Sequence, residues 1–331
     1  MPLWSPALPG ALRRVSAPVR VARLRQALAG LDDPAIADLR RITLIARANG
    51  ISEFEAVGAA GAVTILRITR EDPDLVAHNI HFAYENLFEH MRDPAYGVPE
   101  PLALFGEQGI VVTRRPEGPV LSDIVPRGGA DDAIGRGAAW LRALHDGFEP
   151  RPGAFDAGDR IRETVTAWEA GRAGGPDPME PVAARAMDLS ETFEGSLVEY
   201  VKFHRAFEAQ HVILGERVTW TKGIVNTRRR PRMHDLAHYL VDLAFLMPSP
   251  SGRDDWGLPG GLRETACEGY GLVGKDLERQ LEFAVMTRMI EVYEAGLTAR
   301  RSTARFRARK RVLLDMARAV SQANRDATKA A

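Results

Sequence analysis

The sequence contains one cysteine, Cys267, in 331 residues. An internal disulfide is therefore excluded, and this usage fits a reducing compartment, so a cytoplasmic location is expected. No apolar run approaches the ~18 residues that a bilayer-spanning helix needs. Net charge is missing too, because 44 Lys and Arg balance 44 Asp and Glu. Such a chain has no overall field to draw in nucleic acid, and no nucleic-acid motif accompanies its arginines, so nucleic acid is not an expected partner. Acid is lacking locally. Residues 1–31 hold Arg13, Arg14, Arg20, Arg23 and Arg25 with no Asp or Glu. Residues 300–311 hold Arg300, Arg301, Arg305, Arg307, Arg309, Lys310 and Arg311, again without acid. Basic helical ends of this kind suit peripheral contact with an anionic membrane surface. The N-terminal composition is also that of organellar transit peptides; a basic extension ending in a short helix is the simpler expectation.

What remains is ordinary globular material, 45% hydrophobic and 27% charged, long enough for two cores. Val19–Leu31 predicts a helix, with Val21, Leu24 and Leu28 on one face. The spacing of Ile36, Leu39, Ile42 and Ala46 predicts a second helix over Pro34–Ala48, stopped by Asn49-Gly50. The β-branched run from Ala62 to Ile68 predicts a strand, Asp74–Met91 a helix, and Gly109–Arg115 another strand. Pro116-Glu117-Gly118-Pro119 is a linker. Beyond it the pattern is mainly helical, with a helix through Ile134, Ala138, Leu141 and Leu144. A strand over Leu197–Phe203 and a hairpin turning at Gly215-Glu216 come next, then helices over about 234–246, 276–299 and 303–324. Residues 151–159 and 171–181, rich in Gly and Pro, read as loops. Strands and helices are segregated, which predicts an α+β fold. The expected divisions are a basic extension over 1–48, a small sheet-containing lobe over 49–116 and a helical lobe over 117–331.

Five segments, in order, resemble the protein-kinase-like fold of aminoglycoside phosphotransferases and choline kinases. Val63–Arg67 resembles the strand bearing the nucleotide-gripping lysine, and Tyr84-Glu85-Asn86-Leu87 the helix bearing its glutamate partner. Val98–Leu102 resembles the link into the next strands. Gly109–Asp123 resembles the hinge, with Gly118 and Leu121 as its Gly-x-x-Leu; Leu141–His145 resembles the Leu-x-x-Leu-His helix ending. The most specific segment is His204–Leu214, where the family writes His-Gly-Asp-Phe, then Asn or His, then an apolar strand. The resemblance covers roughly residues 40–300. It implies a two-lobed fold, with small sheet lobe and helical lobe, and ATP with Mg²⁺ as the cofactors of an active member.

Phosphoryl transfer needs a cation on the phosphates, an acid that anchors it, carboxylate-held Mg²⁺ and a carboxylate for the attacking hydroxyl. At the lysine position this chain has Arg67, with Glu85 as the implied partner. The catalytic-loop positions are His204, Ala206 and His211, and Ala206 accepts no proton. Glu208 is the candidate substitute carboxylate. Counting back from the intact Asp235-Leu236-Ala237 places Gly223 at the metal position, between Lys222 and Ile224. Asp235 is the implied brace of the loop. No Asp or Glu lies between Glu216 and Asp235. The run Arg228, Arg229, Arg230, Pro231, Arg232 is a candidate anion site or a solvated basic loop. His234 and His238 have metal-ligand spacing but no third ligand in view. Two function classes fit this pattern. One is a pseudokinase that binds or regulates, with an unknown protein or anionic ligand as partner. The other is a divergent ATP-dependent phosphotransferase acting on a small-molecule or envelope-glycan hydroxyl.

Overall fold

The computed structural model describes residues 16–48, 50–59, 61–91, 93–170, 177–204, 207–224, 229–247, 252–298 and 304–330. The chain divides into two compact units, residues 1–117 with 220–226, and residues 118–219 with 227–331.

The first unit begins with α1 (Ala17–Leu28), β1 (Arg40–Ala48), β2 (Ile51–Gly58), β3 (Gly61–Ile68) and α2 (Pro73–His90). Then come β4 (Tyr96–Gly97), β5 (Pro101–Phe105) and β6 (Ile110–Arg114). Five strands form an antiparallel sheet in the order β1-β2-β3-β6-β5, so β1 is an edge. The helix expected over Pro34–Ala48 is corrected: residues 40–48 are a strand. Ile42, Thr43 and Ile45 are β-branched, and cross-strand pairing with β2 decides between two periods that so short an apolar set fits equally well.

Side chains alternate across a sheet, so the pairings sort this unit into two faces. Phe54 opposes Ile65, Ala56 opposes Val63, and Ile65 opposes Val112. These residues bury against Leu24 of α1, Ala35 and Ile36. The other face carries Glu53, Leu66 and Ile68, and α2 lies against it, burying Ala77, Ile80, Ala83, Tyr84 and Leu87 at helical spacing.

The second unit contains α3 (Leu121–Ile124), α4 (Asp131–Asp146), β7 (Arg151–Ala154), α5 (Ala157–Ala170), α6 (Glu180–Phe193), β8 (Leu197–Lys202) and β9 (Val212–Leu214). β10 (Thr219–Thr221) ends in the first unit. β11 (Arg229–Pro231), α7 (Met233–Ala244), α8 (Leu262–Tyr270), α9 (Lys275–Thr298) and α10 (Ala304–Ala330) complete the chain. α7 is buried around almost its whole circumference, Asp235 and Asp242 included, and packs on α4, α8 and α9. β11, β8 and β7 form a small antiparallel sheet. The loop expected over 151–159 is therefore corrected to β7 and the start of α5, because backbone pairing with β8 overrides the Pro and Gly at 152 and 153. Among the described residues no helix is long and apolar enough to cross a membrane.

Candidate functional site

Within the second unit the His204 loop is built from the inside. His204 is fully buried, and its backbone N–H donates to Asp235 Oδ2 at 2.7 Å. The same carboxylate lies 3.5 Å from His145 Nε2, and His145 Nδ1 is 2.6 Å from the Tyr270 hydroxyl. Burial holds His145 below the usual imidazole range, with Asp235 opposing that shift. Phe207 stacks on Trp140 with ring centroids 5.6 Å apart and leans on Tyr239 at 4.9 Å. Downstream, Ala209 N–H donates to Asp242 Oδ2 at 3.0 Å, and Arg309 of α10 donates to Asp242 Oδ1 at 2.9 Å. Burial, then the charge of Glu208, raises Asp242 above the ordinary carboxylate range. Glu208 accepts from Gln210 Nε2 at 2.6 Å, and the His204 and His211 rings stand 5.8 Å apart. Ala206 and Arg228 lie outside the described residues.

Gly118 occupies a backbone conformation with φ +133°, and a Cβ there would strike the Leu214 carbonyl, so only glycine fits. Leu121, three residues on, is fully buried.

Two of the four arginines of the candidate anion site after β10 already have acceptors within the unit. Arg232 donates to Asp146 at 2.8 Å, to Glu199 at 2.7 Å and to the Tyr270 hydroxyl at 3.2 Å. Arg229 donates to the carbonyls of Glu149 and Tyr200. Both guanidinium groups are thus held inside the unit by acceptors near in space and distant in sequence. Arg230 is exposed. His234 and His238 stack at 4.5 Å, and no group of three metal-ligating side chains occurs among the described residues.

The first unit also departs from expectation. Arg67 opposes Ser52 and Ile110, so it points to the α1 face of the sheet, while α2 lies on the opposite face. The implied Arg67–Glu85 pair is not formed. Glu85 is half exposed and pairs with His81, one turn back, at 3.1 Å. Burial lowers Arg67 from the ordinary guanidinium range, and its Nε and Nη1 are buried without a hydrogen-bond partner.

On the α2 face the charged pair is a different one. Lys222 Nζ meets Glu53 Oε1 at 2.6 Å, both side chains more than four-fifths buried. Glu53 stands directly across from Leu66, the strand neighbour of Arg67. Gly223 N–H donates to the Tyr84 hydroxyl at 3.0 Å, and burial pushes that phenol above its usual range. The Trp220 ring fills the space where Gly97 would carry a Cβ. Residues 220–223 are therefore fixed to the small unit by an aromatic contact, a hydrogen bond and an ion pair. Sequence reasoning named Lys222 but missed Glu53. The signal was present, since Ser52, Phe54 and Ala56 bury while Ile51, Glu53 and Glu55 alternate with them.

Comparison with solved structures places this architecture. A spectinomycin phosphotransferase, solved with ADP and spectinomycin, superposes with a TM-score of 0.59 at 14% identity, covering 94% of this chain and 100% of its own. The fold is that of the aminoglycoside phosphotransferases and choline kinases. A choline/ethanolamine kinase family protein from Mesorhizobium loti gives 0.58 at 13% identity, covering 91% and 99%. An aminoglycoside 2′-phosphotransferase in its GDP complex gives 0.61 at 10% identity, covering 92% and 99%. No family model and no curated protein sequence matches the chain. Identities this low carry the kinase-like fold across, and the chemistry has to be argued from the residues.

Proposed function

We propose that the chain is a pseudokinase, a kinase-fold protein that binds or regulates without transferring phosphate. The supporting observation is Lys222. It lies in the segment where the resemblance calls for a metal-holding aspartate, and it is bonded to Glu53. Mg²⁺ requires hard oxygen ligands, yet residues 217–234 contain no Asp or Glu. The carboxylate bonded to this segment, Glu53, is already engaged by the Lys222 ammonium. The residues do not fit the metal, and no step is routed through it. Gly223 and Ala206 contribute no carboxylate, and a positioned base is worth roughly 10²–10⁴ in rate. Lys222 is the cation that could take a phosphate-bearing anion, nucleotide or acidic peptide without metal, by exchanging Glu53 for the ligand.

The test is turnover and calorimetry on the full chain. ATP hydrolysis or transfer to aminoglycosides, choline or simple sugars should stay at background. Restoring Ala206→Asp with Gly223→Asp should be necessary before Mg²⁺-dependent activity appears. ATP binding should persist in EDTA, weaken with salt and be lost in Lys222→Met. Robust turnover by the unmodified chain would overturn the reading and point to Glu208 as the working carboxylate.

A further inference from the structure

The α1 face of the five-stranded sheet carries a row of side chains that no nucleotide-related role uses. Arg47 of β1 opposes Ser52 of β2, and Ser52 opposes Arg67 of β3. Residues paired in register share a face, so the row crosses three strands and its ends are roughly 10 Å apart. Arg20 belongs to α1, the helix that covers this face. Burial, then the charges of Arg47 and Arg23, lowers Arg20 from its ordinary range.

The row lacks compensating acid. α1, β1, β3 and β6 contain no Asp or Glu at all. The two acids of β2 alternate to the other face, where Glu53 pairs with Lys222 and Glu55 with Arg115. Asp32, Asp33 and Asp38 lie in the connection beyond the C-terminal end of α1. Arg47 has no ion pair among the described residues, and Arg67 keeps two buried N–H groups without an acceptor. Desolvating a guanidinium without an acceptor is unfavourable, and a second unbalanced cation beside it adds repulsion. An anion bearing several oxygens relieves both.

We infer that Arg47, Ser52 and Arg67 form a binding site for a ligand with two linked phosphoryl groups, on the sheet face opposite Lys222. Guanidinium forks match phosphate oxygens in pairs, and a diphosphate spans two arginines better than a single phosphate does. The ligand can be a soluble diphosphate or the phosphorylated headgroup of a lipid, since both present the same chemistry.

Calorimetry of the full chain with inorganic pyrophosphate in low salt tests the site, alongside sedimentation with vesicles containing phosphorylated phosphatidylinositol. Arg67→Gln and Arg47→Gln should each weaken pyrophosphate binding roughly tenfold or more, the loss of a charge-assisted contact. Lys222→Met should leave it unchanged, which separates this site from the proposed function. Vesicle binding displaced by pyrophosphate identifies a lipid headgroup; pyrophosphate binding without vesicle binding identifies a soluble ligand. No binding to either probe, or equal binding by all variants, overturns the inference. So does an Arg67→Met protein that melts at a higher temperature while wild type takes up no pyrophosphate, because burial alone then accounts for Arg67.

Discussion

Lys222, through Glu53, and Arg67 belong to opposite faces of the sheet and differ in what they have met. The lysine found Glu53 at 2.6 Å; the arginine has no acceptor for its Nε and Nη1. A period-2 reading of residues 51–57 makes the first legible, because it puts Glu53 opposite the buried Phe54 side. The second was hidden by a one-residue question of facing, and a one-residue change on a strand reverses the side. Catalytic-motif spacing has no information about that choice. Asp254 offers a cleaner residue-level test. Its Oδ1 accepts the N–H groups of Trp256 and Leu258 at 3.0 and 2.8 Å, and burial raises its pKa to about 6 from 3.8. A carboxyl raised in the fold contributes stability that is present below its unfolded pKa and lost as pH rises through about 6. Asp254→Asn keeps the Oδ1 acceptor and removes the titration. Melting curves should then show a smaller gain between pH 7 and pH 4 than wild type, with the variant relatively more stable at pH 7.5; identical pH profiles would contradict the assignment.

Elements were legible where packing and period agreed. α2, β3 and β6 carry consistent apolar spacing and stand close to their expected bounds, and α4 contains the four positions expected of it. The failures were short or composition-biased pieces. β1 has an apolar set that fits either period, and β7 carries Pro and Gly yet is fixed by β8. α8, which packs on α4, went unnoticed because its stripe is only Leu262, Ala266 and Tyr270. The α4–α7 contact is a strict test of element packing. Tyr239 donates to the Ile134 carbonyl at 3.0 Å, and its hydroxyl occupies the volume that a Cβ on Gly137 would need. Gly137→Ala should destabilise by about 1–3 kcal/mol, as overpacked sites do, and lower the melting point by several degrees. Adding Tyr239→Phe should recover part of that loss. A fully additive pair of losses would show that the two side chains do not compete.

At the scale of the whole molecule, segregation of strands and helices was enough to predict the α+β class, and the two-lobed reading came from the resemblance. Asp235 does contact the His204 backbone, over 31 positions of sequence. What the order of elements does not contain is which acids have partners. Arg232 looked available beside Arg229 and Arg230, yet Asp146 and Glu199, 86 and 33 positions away, hold it. Long-range acceptors of that kind are set by the fold, so a local charge count overstates how much cation is on offer.

β1 is an outermost strand of its sheet, and among the described residues one row of its backbone groups has no strand beside it. Such a border invites another chain to add on, and natural sheets discourage this with charge. Arg40, Arg41 and Arg47 stand along this strand, all of them exposed, with Ile45 also 44% exposed between them. Their mutual repulsion would then act between molecules, keeping one copy from zipping onto the next. Replacing all three with Gln should leave the melting point of the protein nearly unchanged while light scattering rises faster during mild heating. If scattering stays at the wild-type rate, the arginines are not guarding the border.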